Sequence, residues 1–64
     1  MENVKYLVEM AEALARTKNS IIERIDIQYN NIAKGYSAYC YIKGCSICYK
    51  INEDSTIEIV LYRI

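Results

Sequence analysis

The side chains best suited to chemistry are three cysteines in the segment CYIKGCSIC, which covers residues 40–48. Their C-x4-C-x2-C spacing matches part of a plant-type iron–sulfur binding sequence. Such a cluster needs a fourth cysteine, and a structural zinc site usually has four cysteine or histidine ligands. The chain has only these three cysteines and no histidine. We therefore expect no metal and no other cofactor, unless two chains share a metal.

The predicted backbone of this segment also argues against a metal or redox site. A two-residue turn at residues 43–44 makes it a β-hairpin in which Cys40 lies opposite Ile47. Side chains alternate along a strand, so Cys45 and Cys48 point to opposite faces of the sheet. A cysteine pair that binds a metal or forms a redox disulfide needs both sulfur atoms on one side. We interpret Cys40 and Cys45 as small core hydrophobes, with a shared metal or redox chemistry as the alternatives.

The composition argues against two broad classes of function. Eight basic and eight acidic residues give no net charge, whereas nucleic-acid binding relies on an excess of Lys and Arg. Without histidine the chain lacks the commonest general base, and it contains no glycine-rich phosphate loop and no G-x-S-x-G motif. Glu53 and Asp54 are adjacent carboxylates, but they fall in a predicted turn, where such residues are common. The sequence therefore predicts a protein that is not an enzyme.

The elements that position these residues follow from two hydrophobic periods. Apolar residues at helical spacing, with charges on the opposite side, predict a helix over residues 2–18. Its apolar stripe consists of Val4, Leu7, Val8, Ala11, Leu14 and Ala15. After the helix, apolar and polar residues alternate with a period of two, and turn-forming residues divide this region into four strands. The predicted fold is α+β, with an N-terminal helix packed on one face of a four-stranded antiparallel meander sheet, in a single domain of residues 1–64.

The register of the last strand follows from its apolar residues. Ile57, Ile59 and Leu61 are expected to face the core, and an odd-length turn within residues 53–55 pairs them with the core face of the third strand. This register also places Lys50 opposite Glu58, which is a favourable cross-strand charge pair.

The same registers gather tyrosines on the sheet face away from the helix, here called the tyrosine face. Pairing Tyr29 with Tyr36 in the first hairpin places Arg24 beside Tyr41. An apolar centre with a rim of charged side chains is typical of protein interfaces. The alternative interpretation is that tyrosine simply favours exposed strand positions. The candidate partner-binding residues are Arg24, Tyr39, Tyr41, Lys50, Val60 and Tyr62.

Two further surfaces are candidates for association. The last predicted strand, residues 56–64, is long and apolar, and at the edge of a meander it needs a covering element or a partner strand. The helix carries a second row beside its stripe, which we rank below the sheet: Tyr6, Met10, Ala13 and Thr17. The core of so short a chain is marginal, and a homo-oligomer would supplement it.

We predict a small non-catalytic interaction or regulatory protein that binds another protein, itself, or both. In size and composition alone it is comparable with phage and mobile-element proteins that inhibit host defence, such as anti-CRISPR proteins. The alternatives are single-stranded nucleic-acid binding by stacking on the tyrosine face, which the zero net charge disfavours, and a small bacterial regulatory or assembly subunit. The chain has no stretch of about 18 apolar residues that predicts a membrane span, and an odd number of cysteines suits the cytoplasm.

Overall fold

The computed structural model describes the backbone of residues 2–61 and the side chains of residues 4–60. The strands form one antiparallel sheet in the order β1-β2-β3-β4, and the helix packs on one face of it. The predicted α+β fold, with a helix on a four-stranded meander, is confirmed. The elements are α1 (Glu2–Thr17), β1 (Ile22–Asn30), β2 (Gly35–Ile42), β3 (Ile47–Asn52) and β4 (Ile57–Leu61).

Helix α1 packs through the centre of its predicted apolar stripe. Leu7, Ala11 and Ala15 are buried against the sheet, and their spacing of four residues aligns them along one side of the helix. The helix then ends in a Schellman motif, in which the Ser20 N–H donates a hydrogen bond to the Ala15 carbonyl. Asn19 adopts the left-handed conformation that the motif requires, with φ 53°. The chain therefore reverses at once and enters β1 alongside the helix.

The β1–β2 hairpin has the predicted register, with Tyr29 opposite Tyr36 and their ring centroids 5.0 Å apart. The register shifts by one residue between Ile22 and Arg24, so Glu23 is the extra residue of a β-bulge. In an uninterrupted strand, Ile22 would share a face with Arg24 and point away from the helix. The bulge returns Ile22 to the helix side, where it packs against the core.

The β2–β3 hairpin differs from the predicted register by two residues. Cys40 lies opposite Tyr49 rather than Ile47, because the chain turns through residues 43–46 instead of a two-residue turn. Gly44 supplies the left-handed conformation of this longer turn, with φ 83°. A shift of two residues leaves every side chain on the same face, so an alternating pattern fits both registers equally well.

The β3–β4 hairpin has the predicted odd-length turn and the predicted register in all five pairs. The Asn52 N–H donates to the Thr56 carbonyl, and Ser55 adopts a left-handed conformation with φ 74°. This is the three-residue hairpin loop in which a type I turn is followed by one left-handed residue.

The helix covers only part of its sheet face. It contacts β1, β2 and β3, and among the described residues no Cα atom of α1 lies within 8 Å of one in β4. A helix is about 10 Å wide, whereas four strands spaced about 4.8 Å apart span roughly 15 Å. The short connection between Thr17 and Ile22 keeps α1 beside β1, so β4 is the strand left uncovered. The buried core consists of Leu7, Ala11, Ala15, Ala38, Cys40, Ile42, Tyr49 and Ile51.

Candidate functional site

The three cysteines lie on different sides of the sheet. Cys40 is fully buried in the core beneath the helix, and Cys45, in the β2–β3 turn, is half-buried against that core. Cys48 lies on the tyrosine face, opposite Tyr41 on one side and Val60 on the other. In the described part of the chain, no three Cys, Asp or Glu side chains come close enough to hold a metal ion. The predicted separation of Cys45 from Cys48 is confirmed, although Cys45 belongs to a turn rather than a strand.

The tyrosine face brings together five of its six predicted residues, and four of them form two stacked pairs. Arg24 lies opposite Tyr41, and Lys50 lies opposite Tyr39. The guanidinium carbon of Arg24 is 4.2 Å from the Tyr41 ring centroid, and Lys50 Nζ is 5.9 Å from that of Tyr39. Both are cation–π contacts. Tyr39 and Tyr41 therefore each already carry a cation of their own chain, and both rings are only partly exposed.

The centre of the tyrosine face is more enclosed than the sequence indicates. Cys48 lies at this centre, and only 1% of its surface is accessible. Burial raises the pKa of the Cys48 thiol, and a hydrogen bond with Tyr41 lowers it in part. Arg24 Nε lies 3.3 Å from Asp26 Oδ2, and this ion pair orients the guanidinium over the ring. The tyrosine face is thus largely closed by its own side chains.

Of the two remaining residues of the predicted site, only Val60 is described, and it belongs to β4. Val60 lies opposite Cys48 and keeps 37% of its surface exposed. Tyr62 lies outside the described residues. Glu58 is opposite Lys50 as predicted, and its carboxylate accepts a hydrogen bond from Asn52 Nδ2 at 2.9 Å. The exposed apolar part of this face therefore lies on its β4 side.

An open depression of about 410 Å³ lies at the end of the tyrosine face next to the β1–β2 loop. Among the residues that the structure describes, its lining contains no carboxylate and no thiol. The Ser37 hydroxyl in the lining donates to Asn52 Oδ1 at 2.8 Å, so it is engaged within the sheet. The depression offers amide, phenol and ammonium groups for binding, but no base placed to activate a nucleophile.

The adjacent carboxylates of the β3–β4 turn bind the backbone of their own chain. The Asp54 carboxylate accepts hydrogen bonds from the Thr56 N–H at 3.0 Å and from the Thr56 hydroxyl at 2.6 Å. These hydrogen bonds lower the pKa of Asp54. Glu53 accepts a hydrogen bond from the Tyr36 N–H across the sheet. Asp54 thus stabilises its own turn, whereas Glu53 connects that turn to the start of β2.

The clearest exposed apolar surface on the sheet consists of two isoleucines that were predicted to lie in the core. Ile57 and Ile59, here called the β4 strip, point to the helix side of the sheet but are 44% and 65% exposed, because α1 does not reach them. At the turn end of the strip, Tyr6 is 44% exposed and its hydroxyl lies 2.6 Å from that of Ser55. The width of one helix against that of four strands is the signal that could have identified this surface.

Comparisons with known proteins find no matching protein family, no matching curated protein and no matching solved structure. Within the described residues, no helix has both the length and the apolar character needed to cross a bilayer.

Proposed function

We propose that this small protein is non-catalytic, acts by binding other protein chains, and uses β4 as the centre of its contact surface. The observation that carries the proposal is the exposure of Ile57 and Ile59 on a strand that ends the described sheet. An apolar edge strand without a covering element is a template for pairing with another chain. Binding through such an edge combines backbone hydrogen bonds with contacts of alternate side chains.

The proposed contact surface extends around the edge of the sheet. It includes the β4 strip on the helix side and Val60 on the tyrosine face, so both sides of the strand present exposed apolar groups. Tyr39 and Tyr41 belong to its margin, because cations of the same chain already stack on their rings. An apolar centre with a polar margin is the usual arrangement of a protein interface.

Inhibition or regulation of a host protein is the proposed biological role, with a defence protein as the target class and the cytoplasm as the compartment. Its support is the small size and zero net charge of the chain, and three thiols of which none forms a disulfide within it. A regulatory or assembly subunit of a bacterial complex would use the same surface.

Nucleic-acid binding through the tyrosine face is a weaker candidate. Stacking of a base needs an open ring face. Arg24 occupies one face of Tyr41 and is paired with the carboxylate of Asp26, so a base would have to displace an existing contact. Titration with labelled single-stranded DNA at low salt is expected to show no binding, and a tight, salt-sensitive complex would contradict the proposal.

A photo-cross-linking amino acid at position 59 tests the proposed function in native cells. We expect discrete adducts with protein chains from position 59 and none from position 12, because Glu12 lies on the exposed side of α1. The mass of each adduct separates a second copy of the 7.4 kDa chain from a foreign protein. Absence of adducts at position 59, or equal yields at both positions, contradicts the proposal.

A further inference from the structure

We propose that the strand bound at β4 is β4 of a second copy, paired antiparallel with Ile59 on a two-fold axis. This inference rests on the proposed function and specifies its partner and its register. The two four-stranded sheets then form one sheet of eight strands, with a β1 strand at each end.

Hydrogen bonding in the β3–β4 hairpin determines which backbone groups of β4 point outward. The Asn52 N–H donates to the Thr56 carbonyl at 2.9 Å, so these two residues form a hydrogen-bonded pair. Bonded and non-bonded pairs alternate along an antiparallel ladder, so Glu58 is bonded to β3, whereas Ile57 and Ile59 lie in non-bonded pairs. The N–H and C=O groups of Ile57 and Ile59 therefore point to the open edge. A partner strand must place its own outward groups opposite them.

Three central registers let two β4 strands meet this condition. A register centred on Glu58 places two carboxylates directly opposite each other, which is destabilising. A register centred on Val60 pairs only residues 59–61 among the described residues of β4. A register centred on Ile59 pairs all five residues of β4, Ile57–Leu61, and places Glu58 opposite Val60 of the partner subunit. Among the described residues of β4, only this last register combines full overlap with separation of the two carboxylates.

The alternative of pairing β4 with β1 of another copy is disfavoured by the construction of β1. The bulge at Glu23 distorts the start of that edge, and the side chains of Arg24 and Asp26 add charge to it. Such head-to-tail pairing would also continue from copy to copy and form an open fibre. Pairing β4 with β4 uses one surface twice and closes after two copies.

The two-fold axis is perpendicular to the joint sheet, so both helices lie on the same face. The two β4 strips then become neighbours in the middle of that face, and Ile59 lies directly opposite Ile59 of the partner subunit. Directly opposite residues on a hydrogen-bonded pair have Cα atoms about 5.5 Å apart, close enough for their side chains to pack. The association covers an isoleucine that is 65% exposed in the single chain.

Cysteine cross-linking tests the register directly. In a Cys45→Ser background, which leaves only buried native thiols, Ile59→Cys is expected to form a disulfide-linked dimer on mild oxidation. Ile57→Cys is the matched control, because position 57 lies about 14 Å from position 57 of the partner subunit in this register, too far for a disulfide. Faster cross-linking at position 57 than at position 59 would overturn the register.

Sedimentation of the full chain tests the association itself. The wild type is expected to form a dimer of the 7.4 kDa chain. Ile59→Lys places two ammonium groups on the axis and is expected to raise the dimer Kd about 30-fold or more, which is the usual loss at a central anchor. Ile21→Lys is the matched control with no expected effect, because Ile21 is 63% exposed and lies outside β4.

Two results would overturn the inference. One is a wild type that sediments as a monomer at its highest soluble concentration, and the other is a dimer that Ile59→Lys and Ile21→Lys weaken equally. If the monomer nevertheless gave foreign-protein adducts from position 59 in cells, the inference would fail while the proposed function stood. If the monomer also gave no adducts from position 59, both the inference and the proposed function would be contradicted.

Discussion

The two edges of the sheet, β1 and β4, are built in opposite ways. The β1 edge carries a bulge at Glu23 and charged side chains, among them Arg24 and Asp26 in an ion pair. The β4 edge has a regular ladder with one charged residue, Glu58, and its isoleucines are exposed. Bulges and charges are the usual means by which a protein prevents strands of other chains from pairing with an edge. Within the described residues, the bulge is confined to the β1 edge, and most of the edge charges lie there too.

The difference indicates that exposure alone does not identify an interaction surface. Ile21 is about as exposed as Ile59, at 63% and 65%, but Ile21 precedes a strand that is interrupted by a bulge. Ile59 belongs to a ladder whose outward backbone groups can continue the sheet. An exposed apolar side chain becomes a binding determinant where the adjacent backbone N–H and C=O groups can also form hydrogen bonds with a partner strand.

The largest effect on stability is expected from deleting Asp26 in β1. Comparison with the deletion of Glu23 tests how the β1 edge is built. Deletion of Glu23 removes the bulge but leaves Ile22 on the helix side, so we expect the free energy of unfolding to change by about 1 kcal/mol or less. Deletion of Asp26 moves Ile25 out of contact with the core, at a cost of about 1.5–3 kcal/mol, and turns Arg24 toward it. Urea denaturation measures both variants, and the second is expected to be largely unfolded.

The same pair of variants sharpens the comparison of the edges. Without its bulge, β1 is a regular strand, so the Glu23 deletion is expected to associate further than the wild type in sedimentation. If the Glu23 deletion were as unstable as the Asp26 deletion, the bulge would not be the reason that Ile22 reaches the core. If it folded without added association, the bulge would not protect the edge.

Arg24→Gln is expected to have an intermediate effect, because Arg24 covers the tyrosine face rather than the core. Removing the guanidinium uncovers Tyr41 and, beside it, Cys48. Native-state alkylation should label Cys48 several-fold faster than in the wild type, with Cys40 still protected beneath the helix. Mass spectrometry of the labelled protein measures both rates. Equal acceleration at Cys40 would mean that the variant loosens the whole fold instead.

Asp54→Asn is expected to have the smallest effect and tests the turn that delivers the chain into β4. The hydrogen bonds from Thr56 lower the pKa of Asp54 in the folded state, so the stabilisation is present above the ordinary value of 3.8 and is lost as the pH falls through the lowered value. The variant should therefore lose less stability than the wild type on acidification below pH 3.8. Denaturation at a series of pH values measures this difference.

A second variant of the turn separates the contribution of the Thr56 hydroxyl to the pH dependence of stability from that of the Asp54 charge. Thr56→Val removes the hydroxyl that lies 2.6 Å from Asp54 Oδ1 but keeps the backbone donor. We expect its acid response to lie between those of the wild type and Asp54→Asn. An acid response of Asp54→Asn identical to that of the wild type would mean that these hydrogen bonds do not contribute to the pH dependence.

Much of the fold was predictable because a register error of two residues still leaves each strand side chain on its predicted face. The placement of Tyr29 opposite Tyr36 and the odd-length turn before β4 both follow from matching apolar faces. The β2–β3 register was wrong by two residues, since a slip of two moves no side chain to the other face. The position of Cys40 in the core was correct in either register.

The candidate site was less predictable, because its exposure depends on elements distant in the sequence. Arg24, Tyr39, Tyr41, Lys50 and Val60 do share one face, as alternation requires. Their enclosure could not be inferred from spacing, since the stacking of cations on the rings depends on the rotamers of long side chains. The burial of Cys48 is a consequence of those rotamers.

The sequence by itself determined the order of the elements and the face of the described strand residues that follow the bulge at Glu23, because both depend on local periodicity. Only the tertiary structure decided which apolar residues are covered. One helix is narrower than four strands, and the short link after Thr17 holds it over the β1 side of the sheet. Ile51 is consequently buried, whereas Ile57, directly opposite it on the next strand and equally apolar, is exposed.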